Sequence, residues 1–168
     1  MEIEFNNLTN ILTLYKQRLE EILKRKLVEN DNVATGNLLA SINTKLEIND
    51  SVYEVWLNTL DYLKYIENGR KPGKWPPSEP ILKWIRSKRL PTEESTGDKS
   101  LPTEKQLTYL VKRKIGTEGI QPKPNYAETI EELNEEYLPL IENALREDFI
   151  ANIILIEIFP NLNIGMKM

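Results

Sequence analysis

The chain has 168 residues, 40% of them hydrophobic, with ten prolines, no cysteine and no histidine. Those absences exclude disulfides, zinc–thiolate sites, cysteine nucleophiles and Ser-His-Asp triads, and they remove the usual general base and metal ligand. The formal net charge of −4 is uneven: residues 70–124 carry 13 Lys/Arg against 6 Asp/Glu, a net of +7, and the rest carry 9 against 20, a net of −11.

The length suits a single domain over 1–168, with 70–124 as a basic loop-and-short-helix insertion and 155–168 as a C-terminal tail. No stretch reaches the ~18 apolar residues that span a bilayer. The start, MEIEFNNLTN, lacks the basic-then-apolar order of a signal peptide. A soluble protein made in a cytoplasm is expected. A chain with one basic and one acidic region can stack on copies of itself or on a partner of opposite potential. The plainer reading is that these charges solvate exposed faces.

Along the chain, Phe5, Leu8, Leu12, Tyr15, Leu19, Ile22 and Leu23 recur at three- and four-residue steps and predict a long first helix ending near 29–32. ATGNLLASI opens a short second helix, with Thr35 as N-cap and Leu38, Leu39 and Ile42 as its apolar side. In KLEINDSVYEVWLN the period changes to two, predicting antiparallel strands joined by a tight turn around Asn49-Asp50-Ser51, the second strand covered on both faces. LDYLKYIEN returns to helix, with Leu60, Leu63 and Ile66 on one side and Gly69 at its end.

GRKPGKWPP cannot be helix or strand interior, because its prolines fix φ and lack N–H donors. SEPILKWIRSKRL reads as a short helix capped by Ser78, with Pro80 in its first turn and Ile81, Leu82, Trp84 and Ile85 buried. Residues 91–100 read as a mobile polar loop. Thr103 and Gln106 form a capping box for a helix with the stripe Leu107, Leu110, Val111 and Ile115, which GTEGIQPKPN breaks. Tyr126, Ile130, Leu133, Tyr137, Leu140 and Ala144 mark a long acidic helix, which Pro139 should kink or divide. IANIILIEIF fits either a continued helix or an added strand. The expected fold is α+β: a small antiparallel β-sheet built on a hairpin, flanked by the long N-terminal and the long acidic C-terminal helix.

Chemistry finds little purchase. Glu93-Glu94, Glu131-Glu132 and Glu135-Glu136 are neighbours in sequence, which on a helix point apart. Glu132 and Glu136 share a face but read as solvated charges. Gly69 and Gly73 lack the context of a phosphate loop, and no acidic loop has calcium spacing. Catalytic, cofactor and metal residues are therefore expected to be none. A nucleic-acid reading has more support. Lys74, Lys83, Arg86, Lys88 and Arg89 follow Arg70 and Lys71 closely, with Trp75 and Trp84 interleaved, the composition of a strand-tracking groove. Trp84 falls on an apolar helix side and reads as core; Trp75, between Lys and Pro-Pro, reads as a contact residue.

Three phrases in order then carry a resemblance. Gly36-Asn37-Leu38-Leu39-Ala40-Ser41 precedes the hairpin; Tyr65 with Glu67-Asn68-Gly69-Arg70 follows it; Gly119-Ile120-Gln121-Pro122-Lys123-Pro124-Asn125-Tyr126 leads into the last long helix. Over about residues 33–135 this order resembles the small neck proteins of tailed bacteriophages, the head–tail joining or tail-completion proteins of the morphogenesis class. One departure is Asn125-Tyr126, where that family has a phenylalanine directly after the second proline. The resemblance implies a virion structural subunit with no catalysis, found in the neck or tail region and made in the bacterial host cytoplasm. It implies a ring around the DNA channel that bridges portal and tail. Its partners would be copies of itself, portal or other neck and tail proteins, and phage DNA contacted non-specifically, with no membrane. In that reading Glu67, Gly69, Arg70, Lys71, Pro72, Trp75, Pro76 and Pro77 are subunit-interface candidates, Glu67 pairing with a cation of its own loop or of a neighbour. Trp and Arg are enriched at interface hot spots, and proline reduces the entropy lost on docking. The alternative is a DNA-binding accessory module using the 70–89 patch, with Lys74, Lys83, Arg86, Lys88 and Arg89 facing DNA.

Overall fold

The structure, a computed structural model, describes residues 5–33, 36–49 and 52–158. The fold is α+β, with seven helices and one two-stranded antiparallel sheet among the described residues. In chain order these are α1 (Asn6–Glu29), α2 (Asn37–Ser41), β1 (Asn43–Asn49), β2 (Val52–Asn58), α3 (Tyr62–Asn68), α4 (Ser78–Ser87), α5 (Glu93–Thr96), α6 (Glu104–Glu118) and α7 (Asn125–Ile158). Two compact units form: Met1–Leu23, Asn43–Asn58 and Ala127–Met168 in the first, Lys24–Ile42 and Thr59–Tyr126 in the second. No described helix is long and apolar enough to cross a membrane.

In the first unit, the stripe of α1 meets that of α7 around Leu19, Ile22, Leu133 and Tyr137, with Val55 of β2 packed against them. Tyr15 and Tyr137 pack edge to face, ring centroids 5.6 Å apart. The hairpin pairs Asn43 with Asn58 through to Asn49 with Val52, leaving residues 50 and 51 as its connection, outside the described residues. β1 is fastened to α1 through Thr44, whose N–H donates to Glu20 Oε1 (2.7 Å) and whose hydroxyl lies 3.0 Å from the Lys16 carbonyl. Asp148 of α7 fastens the other end of α1: its buried carboxylate accepts from the Asn7 N–H (3.1 Å) and the Leu8 N–H (2.9 Å). Those are two of the donors that a helix start leaves without partners. The second unit buries Leu27, Leu38, Ile42, Leu63, Ile66 and Ile85.

Several local expectations change. β2 alternates regularly, with Val52, Glu54 and Trp56 exposed, so only one of its faces is covered. Leu60 lies outside α3 and is exposed. Ser78 is the first residue of α4 and not its cap; Pro77 holds the cap position, and the Ser78 hydroxyl accepts from Lys112 Nζ (2.7 Å). Residues 91–100, expected as a polar loop, contain α5, opened by a Thr92/Ser95 capping box on the buried Thr92. On α6 the buried positions are Thr108 and Gly116, and Leu110 faces outward. α7 runs through Pro139 undivided, because the covered positions Leu133, Tyr137, Ile141 and Ala144 hold it on both sides of the missing N–H. Its Tyr126 and Leu140 are exposed, while Asn125, Thr129 and Asp148 take the buried stripe. IANIILIEI continues the helix to Ile158. The N-cap residue expected at Thr35, Phe159 and the tail beyond it lie outside the described residues; α2 starts behind Gly36.

Candidate docking groove

Two glycines start the site, all of it within the second unit. α3 stops at Gly69, with φ 66 and ψ −160, and α6 stops at Gly119, with φ 79 and ψ −159. That region of backbone space is essentially reserved for glycine. Both positions also need the missing Cβ: on Gly69 it would overlap the Ile120 carbonyl, on Gly119 the Arg70 carbonyl. The segments after α3 and after α6 therefore run side by side. Arg70 N–H donates to the Ile120 carbonyl (2.9 Å), and Ile120 N–H donates back to the Arg70 carbonyl (2.8 Å). Lys123 N–H donates to the Ile66 carbonyl (2.8 Å). The Glu67 carboxylate accepts from the Tyr126 N–H (2.7 Å) in the first turn of α7, instead of pairing with a cation. YIENGR and GIQPKPNY, distant in sequence, are one zipped unit.

The basic loop arches away from this zipper and over the end of α6. Gly73 N–H donates to the Gly116 carbonyl (2.8 Å), and the Arg70 guanidinium donates to the Lys74 carbonyl (2.6 Å). Trp75 lies directly on Gly116, where a Cβ would come within 2.5 Å of Trp75 Cδ1. The indole also meets Tyr109, ring centroids 5.6 Å apart. Pro76 is buried; Lys71, Pro72 and Pro77 are exposed. Trp75 remains 44% exposed despite its two contacts. It is seated, yet half of it is open.

Trp75 forms part of an open groove of about 1140 Å³. Its aromatic lining comes from Tyr62, Tyr65, Trp75 and Trp84, its cations are Arg70, Lys74 and Lys114, and Val111 and Ile115 of α6 add aliphatic surface. Tyr62 and Tyr65 are each 52% exposed. Trp84, expected in the core, is half-buried and contributes to this lining.

The cations expected to face DNA divide differently. Arg86 forks onto Glu104, with Nε 3.0 Å from Oε1 and the terminal nitrogen 2.6 Å from Oε2. These hydrogen bonds hold the Glu104 carboxyl below the usual carboxylate range and raise the guanidinium. Lys83 pairs with Glu79 at 2.8 Å and Lys88 pairs with Asp31, and each hydrogen bond lowers the carboxyl it reaches. Lys74 and Arg89 have no ion pair among the described residues. Of the carboxylates weighed for chemistry, Glu94 accepts from the Glu104 N–H (2.9 Å) and Glu136 lies 3.9 Å from Arg18 Nε. Among the described residues no group of His, Cys, Asp or Glu is gathered to hold a metal ion.

Sequence reasoning found the loop but missed its support on α6. GTEGIQPKPN was expected to break the helix at Gly116, whereas α6 runs on to Glu118 and buries Gly116 under Trp75. Comparison with protein-family profiles, with curated proteins and with solved structures finds no match to this chain.

Proposed function

We propose that the chain is a structural subunit of a tailed-bacteriophage neck, a ring-forming head–tail connector that bridges portal and tail around the DNA channel, and that the Trp75 groove is its docking surface. The observation that carries this reading is the braced loop. Backbone hydrogen bonds from Arg70 and Gly73 to the 116–120 segment hold it before any partner arrives. A pre-fixed loop loses little further entropy on docking. It presents a half-open Trp beside an Arg, the side chains that dominate interface hot spots. The zipped phrases are also those whose order resembles neck proteins. No step in this role asks for catalysis, a cofactor or a metal. The DNA-binding alternative is weaker, because three of its five cations already hold carboxylates.

The test is Trp75→Ala combined with Arg70→Ala. The isolated subunit should stay folded, melting no more than a few degrees below wild type, and fail to enter virions, which antibody labelling of wild-type particles should mark at the neck. Each hot-spot truncation costs about 2 kcal/mol, roughly a thirtyfold loss of affinity. A double variant that enters virions at wild-type yield, or wild-type particles without label, would overturn the reading.

A further inference from the structure

The two units differ in charge as well as in sequence position. The second holds 17 Lys/Arg against 10 Asp/Glu, a net of +7, and the first holds 5 against 16, a net of −11. On the first unit, the outward side of α7 carries a ridge. Leu138, Phe149 and Ile153 are 50%, 53% and 54% exposed, at helical spacing with Glu142 between them. Glu131 and Glu135 continue the same side toward the N-terminus, against one cation, Arg146. Glu135 and Glu142 have no ion pair among the described residues. The Trp75 groove on the second unit has the complementary make-up: aromatic and aliphatic lining, with Lys74 and Lys114 likewise free of ion pairs among the described residues.

We infer that the occupant of the groove is the α7 ridge of a second copy of this chain. The inference rests on the docking role proposed above and names its partner. Apolar anchors at helical spacing laid into a hydrophobic groove are a recurring recognition mode, and opposite potentials fix the direction of approach. Groove and ridge are different surfaces, so the contact is head-to-tail. Such contacts propagate from copy to copy and close into a ring where the rotation allows. The Arg70 fork and the Lys74 and Lys114 ammoniums meet Glu135 and Glu142, and Trp75 meets the Leu138–Phe149 stretch.

Charge reversal tests this with the full chain, by sedimentation velocity across a concentration series. The wild type should self-associate. Lys74→Glu with Lys114→Glu should weaken association at least about thirtyfold, and so should Glu135→Lys with Glu142→Lys. A 1:1 mixture of these two variants should form at least a heterodimer through the one intact groove and the one intact ridge. A chain carrying all four reversals should associate again. All four positions are exposed or line the open groove, and circular dichroism checks that each variant folds. A wild type that stays monomeric, single-side variants that associate normally, or a folded fourfold variant that stays monomeric would each overturn the pairing. Loss of the neck role reads differently: the chain would self-associate by this pairing yet be missing from virions.

Discussion

Gly116→Ala separates folding from docking. In a helix interior, replacing glycine by alanine gains up to about 1 kcal/mol, because the unfolded chain loses freedom and the helix is better favoured. Here the new Cβ would come within 2.5 Å of Trp75 Cδ1 and 2.6 Å of Nε1. One of the two has to move. Gly116 is buried helix backbone, whereas Trp75 is already 44% exposed, so the indole gives way. Leaving Gly116 forfeits the edge contact with Tyr109, worth about 0.5–1.5 kcal/mol. Gain and loss nearly cancel. The melting temperature should stay within about 4 °C of wild type, the shift that about 1 kcal/mol produces in a chain of this size. Docking should nonetheless weaken sharply, because the seat of Trp75 is gone. Calorimetry reads the first effect. NMR reads the displacement: of the three indole N–H signals, one per tryptophan, that of Trp75 should move most. A melting point lower by more than about 8 °C would mean that Trp75 belongs to the core. An unmoved indole signal would refute the close approach itself.

Asp148→Ala should cost about 1–3 kcal/mol, since it leaves the buried Leu8 N–H and the partly buried Asn7 N–H at the start of α1 without this acceptor; Asp148→Asn, which keeps one carbonyl oxygen, should cost less, and thermal melting ranks the two. For pH, the folded-state carboxyls of Asp31 and Glu104 are lowered, so their pairing is complete above the ordinary carboxylate pKa and lost as pH falls through the lowered values. An NMR titration of both carboxyls should give midpoints below those of an ordinary Asp and an ordinary Glu; midpoints at or above the ordinary ones would show that the pairs with Lys88 and Arg86 do not form in solution.

Much of the fold was legible because it follows from period. The 3.6-residue stripe of α1, the period-two alternation of the hairpin and the Thr103/Gln106 capping box each specify one local structure, and each is found there. What stayed hidden depends on long-range partners. Asn125, Thr129 and Asp148 break the apolar stripe of α7 yet are buried. Asn125 bonds Asn30 (2.7 Å), and Asp148 bonds the start of α1, pairings no local window contains. The end of α1 near 29–32 was read correctly, while that of α4 was blurred for another reason. Arg89 (φ 51), like Asp31 (φ 52), holds a left-handed position where the sequence signal would be glycine. Thr92 reads as loop until the buried hydroxyl of its capping box is seen. At the site, the loop could be read from its prolines, but the groove needed the approach of α6, set by glycines whose purpose shows only when both strands of the zipper are present.

The charge pattern, finally, separates the two readings more sharply than composition could. A surface that tracks nucleic acid gains affinity by releasing counterions, with a slope of about −0.9 per phosphate neutralised. Five free cations at Lys74, Lys83, Arg86, Lys88 and Arg89 would give a slope of about −4.5. Three of them spend their charge inside the chain, on Glu79, Glu104 and Asp31, which leaves a slope of about −2 and little affinity at physiological salt. The same pairing leaves the positive potential of this region strongest where it is not cancelled, and Lys74 and Lys114 are such places, both at the groove. A protein carboxylate on an apolar ridge needs only a few charges at fixed positions, because burial of the apolar anchors supplies the rest. Lys74 and Lys114 thus stand uncancelled beside open aromatics, an arrangement suited to a shaped partner more than to a charged strand.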